Sequence, residues 1–206
     1  MNKFIFGLLF FLPVQLYAQN VDINLLRKIN IDRNQHLDGT FKAITNTANA
    51  IDFAVPIVVF GTGFLNHDEQ LKSDGLTIAA SLFTTSVVTF SLKYVVNRSR
   101  PYVTYPDIQK LSDGGSGSFP SGHTSGAFST ATSLSLAFPK WYVIVPAYSW
   151  ATAVAYSRMD LGVHYPSDVL AGAVVGAGCA FLCHKGQQWI NNRKKKAQVP
   201  ATSNNF

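Results

Sequence analysis

Charged residues are scarce in this chain of 206 residues. They make up 14% of it, against about 25% in soluble proteins, while apolar residues make up 47%. The shortage of charge disfavours a large hydrated surface and indicates a chain embedded in a membrane. The length is that of one domain that can bury its own core.

Cysteine and metal-binding clusters are scarce as well. Cys179 and Cys183 are the only cysteines, and they lie four residues apart in an apolar segment, where we expect two small apolar fillers on one helix face. This excludes a disulfide framework. No grouping of Cys, His and carboxylate residues has the spacing of metal ligands, so no metal site is predicted. The net charge is +6, but the basic residues form no stripe interleaved with aromatics, so no nucleic-acid partner is predicted either.

The N-terminus has the composition of a secretory signal peptide. Lys3 is followed by an apolar run over 4–12, and the small residue Ala18 stands before the predicted cleavage point. We therefore predict that residues 1–18 are a signal peptide. An uncleaved first membrane helix is the alternative.

The next part of the chain, 19–50, is polar with apolar residues at irregular helical spacing. This pattern predicts an amphipathic segment of one or two helices on the outer surface of a membrane. It lies outside the cytoplasm whether or not the N-terminal segment is cleaved.

Five apolar segments of helical length follow. Several are shorter than the roughly 20 residues that span a bilayer, and Ser, Thr and Gly dilute them, so a soluble bundle of buried helices is an alternative. Small residues also let membrane helices pack closely, and Gly172, Gly176 and Gly178 fit that use. We predict an all-α integral membrane bundle of about five to six helices with its core at 51–185. The five segments are 51–65, 76–97, 124–138, 141–157 and 167–184.

Alternating these segments across a membrane brings two polar loops to one side. The loops 98–123 and 158–166 both lie outside, and the basic end of the chain, 186–206, lies in the cytoplasm, as positively charged segments do. We expect this tail to be disordered. The pattern predicts a multi-pass protein of a bacterial-type inner membrane whose polar loops face the periplasm or exterior.

The first polar cluster on the outer face is KYVVNRSRP. Lys93 and Arg100 are seven residues apart, which is two helical turns, and Pro101 ends the helix. Lys93 follows an apolar stretch in which an unpaired cation is costly, so it is a functional candidate. Snorkelling of its side chain toward the interface is the alternative.

The second cluster is PSGH, 120–123, just ahead of a helix that begins near Thr124. Its backbone N–H groups can converge on an anion at the helix N-terminus, and Gly122 permits the close approach. His123 would then stand at the rim as an acid-base group. Taken alone, the cluster is explained better by N-capping through Ser121 or Thr124.

The third cluster is SRMDLGVHYPSD, which contains Arg158, His164 and Asp168. The carboxylate of Asp168 can accept a hydrogen bond from one imidazole nitrogen of His164 and leave the other as a nucleophile or base. A purely structural His–Asp hydrogen bond is the alternative.

The cations of these clusters indicate the substrate. Lys93, Arg100 and Arg158 supply three positive charges, enough to hold a phosphate dianion and the charge that develops on its oxygens. No group of acidic residues could hold magnesium beside them. The sequence therefore predicts phosphoryl transfer without a metal or cofactor.

Together the clusters resemble the signature of the type 2 phosphatidic-acid phosphatase superfamily, K-x6-R-P, P-S-G-H and S-R-x5-H-x3-D, and the chain is most similar to its membrane lipid-phosphatase branch. The resemblance implies that His164 is a nucleophile that forms a phosphohistidine and that Asp168 orients it. It implies that His123 protonates the leaving alkoxide and later activates water. The phosphate-binding residues that it implies are Lys93, Arg100, Ser121, Gly122 through its N–H, and Arg158.

The expected function is that of a metal-independent membrane phosphatase. Its substrate would be a lipid phosphate or diphosphate: undecaprenyl diphosphate, phosphatidylglycerophosphate, phosphatidic acid or lipid A. The alternatives are a secreted soluble acid phosphatase acting on small phosphomonoesters and, more remotely, a non-catalytic anion-binding membrane protein. The expected partners are the lipid substrate and the bilayer; the sequence does not indicate an oligomeric state.

Overall fold

The computed structural model describes residues 20–198 and is all-α over that range, as predicted. The predicted signal peptide and residues 199–206 lie outside the described residues. The helices are α1 over 20–30, α2 Asp38–Leu65, α3 Glu69–Val96, α4 Pro101–Thr104, α5 Gly122–Ala137, α6 Trp141–Asp160 and α7 Pro166–Gln198, with a single 3₁₀ turn at Gln35–Leu37 ahead of α2.

Helix α5 lies at the centre of the bundle. It packs against α2, α3, α6 and α7, and half of its 16 residues are buried. Most of those residues carry hydroxyls, and several of these hydroxyls form hydrogen bonds within the bundle: the Thr85 hydroxyl donates to Ser129 Oγ at 3.0 Å, and Ser125 Oγ donates to the carbonyl of Ser121 at 2.9 Å. Many of the Ser and Thr residues that dilute the apolar sequence therefore pair inside the protein, although Ser133 Oγ has no partner among the described residues.

Close contact between α5 and α7 depends on two glycines. A Cβ at Gly172 would lie 2.7 Å from the Ser121 carbonyl oxygen, and one at Gly176 would overlap the Ser125 carbonyl oxygen. Both glycines therefore allow the close helix packing that the sequence predicts for them. Gly178 does not, because nothing lies within 4 Å of a Cβ built there.

Within residues 20–198, three helical stretches are long and apolar enough to cross a membrane: Gln35–Leu65, Glu69–Thr104 and Pro166–Arg193. They carry exposed apolar side chains such as Phe53, Phe83 and Leu170, each more than two thirds exposed, which suits a surface that faces lipid. Helix α5 is too short to span alone and is enclosed by its neighbours.

The helices extend beyond the apolar segments that predict them. Helix α2 begins at Asp38 rather than near 51, because its first turns bury Thr45 and Ala48 against the bundle. Helix α7 continues to Gln198, although disorder was predicted from 186. Lysine, arginine and glutamine favour helix, basic residues suit a helix C-terminus, and the Arg193 guanidinium stacks 3.9 Å from the Trp189 ring one turn away.

The amphipathic segment folds back onto the bundle through α1. Leu26 and Ile23 are buried with Ile108 and Tyr165, while Val21 is exposed. Asn30, at the end of α1, donates to the Asp160 carbonyl at 2.7 Å and to the Gln109 carbonyl at 3.1 Å. Helix α1 therefore fastens the long loop between α4 and α5 to the ends of α6 and α7.

Candidate active site

The structure brings all eight sequence-predicted site residues to one end of the bundle. The ends of α3 and α6 meet the beginnings of α5 and α7 there, and the loop between α4 and α5 covers them. Lys93 lies in the last turn of α3, Arg100 before α4, Ser121, Gly122 and His123 at the start of α5, Arg158 near the end of α6, His164 in the following loop and Asp168 in the first turn of α7.

His164 is held between a carboxylate and a guanidinium. Its Nδ1 lies 3.5 Å from Asp168 Oδ2, and its Nε2 lies 3.3 Å from Arg100 Nη1. The carboxylate can only accept, so we assign the proton to Nδ1, and this leaves the Nε2 lone pair directed at the cations. The Nδ1 distance is long for a hydrogen bond, as is common before substrate binds.

Burial keeps the imidazole of His164 neutral. Only 2% of the residue is exposed, and this desolvation lowers the pKa of His164 to about 4. Asp168 opposes the change, whereas Arg100 and Arg158 add to it. At neutral pH the ring is therefore neutral, with the proton on Nδ1 and a free lone pair on Nε2, which is the form that a nucleophile requires.

The predicted phosphate-binding cations are anchored by backbone carbonyls. Lys93 Nζ donates to the Gly117 carbonyl at 2.7 Å, and Arg100 donates to the carbonyls of Ser116 and Val163 at 3.0 and 2.9 Å. Lys93 is only 8% exposed, so its side chain does not snorkel to the surface. These neutral acceptors fix the cations in place while leaving their charge uncompensated.

Arg158 is the third cation. Its Nη1 donates to Thr45 Oγ1 at 2.8 Å, and its Nη2 donates to the Asp113 carbonyl at 3.3 Å. Its Nε has no hydrogen-bond partner within the described part of the chain, although the atom is buried. A buried, unused donor beside two other cations suits a ligand that brings its own acceptors.

The PSGH segment leaves its donors free for a ligand. Ser121 occupies the N-cap position of α5, but its side chain makes no capping hydrogen bond, so the simple N-cap explanation fails. Its hydroxyl oxygen accepts from Thr124 Oγ1 at 2.9 Å, and its own proton remains available. A Cβ at Gly122 would meet only Lys93 Cε, at 4.0 Å, so a phosphoryl oxygen can approach the start of the helix.

His123 faces a different environment from His164. It is half-buried and lines a groove of about 650 Å³ between α2, α3 and α5, together with Lys93 and Gly122. The remaining walls are largely apolar, with Phe53 of α2 and Phe83 and Phe90 of α3 among them. His123 and Lys93 thus lie where the cation cluster meets an apolar cavity.

Sequence reasoning missed Arg98, which holds Asp168. Its Nη1 donates to Asp168 Oδ1 and to Ser167 Oγ, both at 2.7 Å, and its Nη2 donates to Asp22 Oδ2 at 2.7 Å. Its guanidinium also stacks on Tyr165, 3.8 Å from the ring centroid. Its position between Lys93 and Arg100 in KYVVNRSRP was the available signal.

Asp22 of α1 was missed as well. Its Oδ1 accepts from the Ser167 backbone N–H at 2.9 Å, so it caps the start of α7, while its Oδ2 accepts from Arg98 and from Ser167 Oγ. Asp22, Arg98, Asp168 and His164 form one continuous chain of contacts, which we call the Asp22–His164 relay. No local sequence signal marks Asp22, because its partners are 76 and 145 residues away.

The chain is similar to known proteins over most of its length. The sequence model described as the PAP2 superfamily matches residues 74–192. The chain is 30% identical over 187 residues to an undecaprenyl-diphosphatase of Sulfolobus acidocaldarius, which covers 85% of this chain and 86% of the relative. It is 25% identical over 190 residues to a lipid A 4'-phosphatase of Porphyromonas gingivalis, covering 90% and 80%.

A solved structure is similar over nearly the whole chain. It is the transmembrane PAP2-type phosphatidylglycerolphosphate phosphatase from Bacillus subtilis, with a TM-score of 0.71 and 28% identity. The match covers 92% of this chain and 98% of that one. The similarity therefore includes the amphipathic segment and α2, which the family model does not reach.

Proposed function

The chain belongs to the PAP2 superfamily, and on that premise we propose that it is a membrane phosphatase that hydrolyses a lipid phosphate or diphosphate through a phosphohistidine. One observation carries the proposal. The buried, neutral His164 has one nitrogen directed at Asp168 and the other at Arg100. That arrangement suits an in-line attack on a phosphorus atom whose oxygens the cations hold.

The reaction has two steps. His164 Nε2 forms a bond to phosphorus while the P–O bond to the leaving group breaks and protonated His123 gives its proton to the departing oxygen. Burial and the three cations lower the pKa of His123 to about 4 in the free site, so the negative charge of the bound phosphate is needed to favour this protonated form. His123 then takes a proton from water, which attacks phosphorus and breaks the P–N bond. The products are the dephosphorylated lipid and inorganic phosphate, and both histidines return to their starting forms.

The cations supply the electrostatic stabilisation. Lys93, Arg100 and Arg158 are fixed by carbonyl and hydroxyl groups, so little reorganisation is needed when charge develops on the phosphoryl oxygens. The N–H of Gly122 and the hydroxyl of Ser121 add two neutral donors at the start of α5. This donor set supports a mechanism without a metal ion.

The groove between α2 and α3 is the proposed path of the lipid tail. Phe53, Phe83 and Phe90 line it and are each more than 60% exposed, so its mouth opens onto the apolar flank of the bundle. A headgroup entering there meets His123 and Lys93 in the groove wall, whereas Arg100 and Arg158 do not line the groove. The tail can stay in the bilayer while the phosphate reacts.

The secreted soluble phosphatase is the weaker candidate. Three helical stretches of membrane-spanning length, and the transmembrane relative, favour a multi-pass protein. Carbonate extraction of membranes tests this choice: we expect the protein to remain in the pellet, and its release into the supernatant would contradict the membrane assignment.

We further propose that the chain lies in a bacterial-type inner membrane with its site on the periplasmic or exterior face. In a chain with both native cysteines replaced, Ser116→Cys would mark the site end and Asn66→Cys the opposite end; both positions are exposed. A membrane-impermeant thiol reagent should label the first in intact cells and the second only after permeabilisation. The reverse result would invert the orientation.

A panel of purified lipid phosphates in detergent, scored by released phosphate, tests the function itself. We expect turnover of at least one lipid, unchanged by EDTA and inhibited by vanadate, which mimics the transition state of phosphoryl transfer. Loss of activity in EDTA that magnesium restores would overturn the metal-free mechanism. Absence of phosphate release from every lipid would leave the non-catalytic anion-binding alternative.

A further inference from the structure

One carboxylate in the wall of the groove has no part in the mechanism. Asp52 lies on α2, within the membrane-spanning stretch Gln35–Leu65, and lines the groove together with His123 and Gly126. Ionisable side chains inside membrane segments are costly and mark substrate or ion pathways. The acidic group therefore requires an explanation beyond packing.

Two features of α5 hold Asp52 in this position. Thr130 Oγ1 donates to Asp52 Oδ1 at 2.6 Å, and Gly126 leaves the space that Oδ2 fills, since a Cβ at Gly126 would overlap that oxygen. The ion pairs formed by the described residues do not include Asp52. The carboxylate is thus positioned firmly and has no cation to compensate it.

Asp52 stands on the leaving-group side of the chemistry. Gly126, which it contacts, is three residues and about one helical turn beyond His123 on α5. Asn49 lies one turn before Asp52 on α2 and lines the same groove. The atoms of the leaving group just beyond the scissile oxygen would therefore meet a carboxylate and an amide.

These two side chains distinguish two classes of leaving group. The second phosphate of a diphosphate offers only acceptor oxygens and negative charge, which a carboxylate repels. An alcohol with further hydroxyl or amide groups, such as a sugar, offers donors that Asp52 accepts. Among the residues that line the groove, Lys93 is the only cation, and the reacting phosphate already needs it.

We propose that Asp52 makes the enzyme selective for phosphate monoesters on hydroxylated headgroups, as in a sugar lipid, and against diphosphates. This rests on the proposed function and names its substrate class. Asp52 also lies outside 74–192, the part of the chain that the family model matches, as suits a residue that selects the substrate rather than one that performs the shared chemistry.

The test compares two lipids with the wild type and Asp52→Asn. Lipid A represents the sugar monoester and undecaprenyl diphosphate the diphosphate, with released phosphate measured for each. We expect the wild-type kcat/KM to be higher for lipid A. Asp52→Asn, which keeps the shape but removes the charge, should lower the ratio of the two kcat/KM values by about tenfold or more, because a hydrogen bond to a charged group is lost on one side and a repulsion on the other.

Thr130→Val is the matched control, because it removes the bond between α2 and α5 but keeps the carboxylate. We expect its ratio to stay within about threefold of wild type. A wild-type preference for the diphosphate, an unchanged ratio in Asp52→Asn, or an equal change in both variants would overturn the selectivity proposal. Failure of the wild type on both lipids and on phosphatidic acid would instead contradict the proposed function.

Discussion

The two histidines of the site occupy opposite kinds of surroundings. His164 is 2% exposed and ends the Asp22–His164 relay, which ties α1, the α3–α4 connection and α7 together. His123 is half-buried and faces the open groove between α2, α3 and α5. The His164 side of the proposed phosphate site is therefore fixed by ion pairs, and the His123 side is open.

The difference follows from what each side must accommodate. As the proposed nucleophile, His164 would meet the same phosphoryl group in every substrate, so a rigid, dry setting that fixes its tautomer is advantageous. As the proposed acid, His123 would meet leaving groups that differ in size and polarity, so it needs space beside it. Mutations around His164 should thus lower activity on all substrates equally, whereas the effect of mutations around His123 should depend on the leaving group.

The largest effect is expected for His164→Ala. No other described side chain occupies the position of its Nε2, so phosphoenzyme formation should stop and activity should fall by at least about 10⁴-fold on every substrate. Released phosphate and trapping of labelled phosphoenzyme measure the loss. Appreciable residual turnover would remove His164 as the nucleophile.

Asp168→Asn should come next, with a fall in kcat of about 10³-fold and little change in KM. The amide can donate to Nδ1 and so favour the wrong tautomer of His164, while the cations that bind phosphate stay in place. Steady-state kinetics on a lipid and on a small aryl phosphate should give the same ratio. An unchanged kcat would contradict the orienting role of Asp168.

His123→Ala should slow the reaction to an extent that depends on the leaving group, unlike the mutations around His164. With a lipid phosphate, phosphoenzyme formation should slow by about 10²-fold or more, because a poor leaving group needs an acid. With p-nitrophenyl phosphate, whose leaving group needs no proton, a near-stoichiometric burst of nitrophenol should remain and be followed by slow turnover. Equal slowing of this first step for both substrates would assign His123 to phosphate binding instead.

Arg98→Gln should have the smallest effect of the four, a fall in kcat of about tenfold at nearly constant KM. The substitution removes the hydrogen bonds that Arg98 donates to Asp168 and Asp22, but it leaves the phosphate-binding residues unchanged. Arg27→Gln is the matched control. Arg27 lies on α1, as Asp22 does, and forms an ion pair with Asp107, but this pair is exposed. We expect Arg27→Gln to keep activity within about twofold, and similar losses in both variants would indicate general destabilisation.

Much of the fold follows from local sequence. Apolar segments predicted the five long helices, because burial and lipid contact select the same residue types that hydropathy measures. Their ends were wrong where polar residues turn inward, as Thr45 does when it accepts a hydrogen bond from Arg158. A contact between residues 113 positions apart has no counterpart in a local pattern.

The candidate site divides in the same way. Lys93, His123 and His164 lie in motifs whose spacing is visible along the chain. Asp22 and Asp52 are ordinary acidic residues in the sequence, and only the folded chain brings one to Arg98 and the other to Gly126. Asp22 and Asp52 therefore could not be predicted from the sequence, because neither belongs to a local motif.

The outer wall of the groove is formed by α2 and by the part of α3 between Ala79 and Lys93, and this has a consequence for how substrate selection can change. The proposed nucleophile His164, the Asp22–His164 relay, and the cations Arg100 and Arg158 do not line this groove. Mutations of the groove-lining residues of α2 and α3 other than Lys93 can therefore change which lipid is admitted while the phosphate-binding residues stay intact. The groove-lining residues of α2 and α3 can therefore be exchanged as a set, and transferring them between relatives offers a direct route to new lipid specificities.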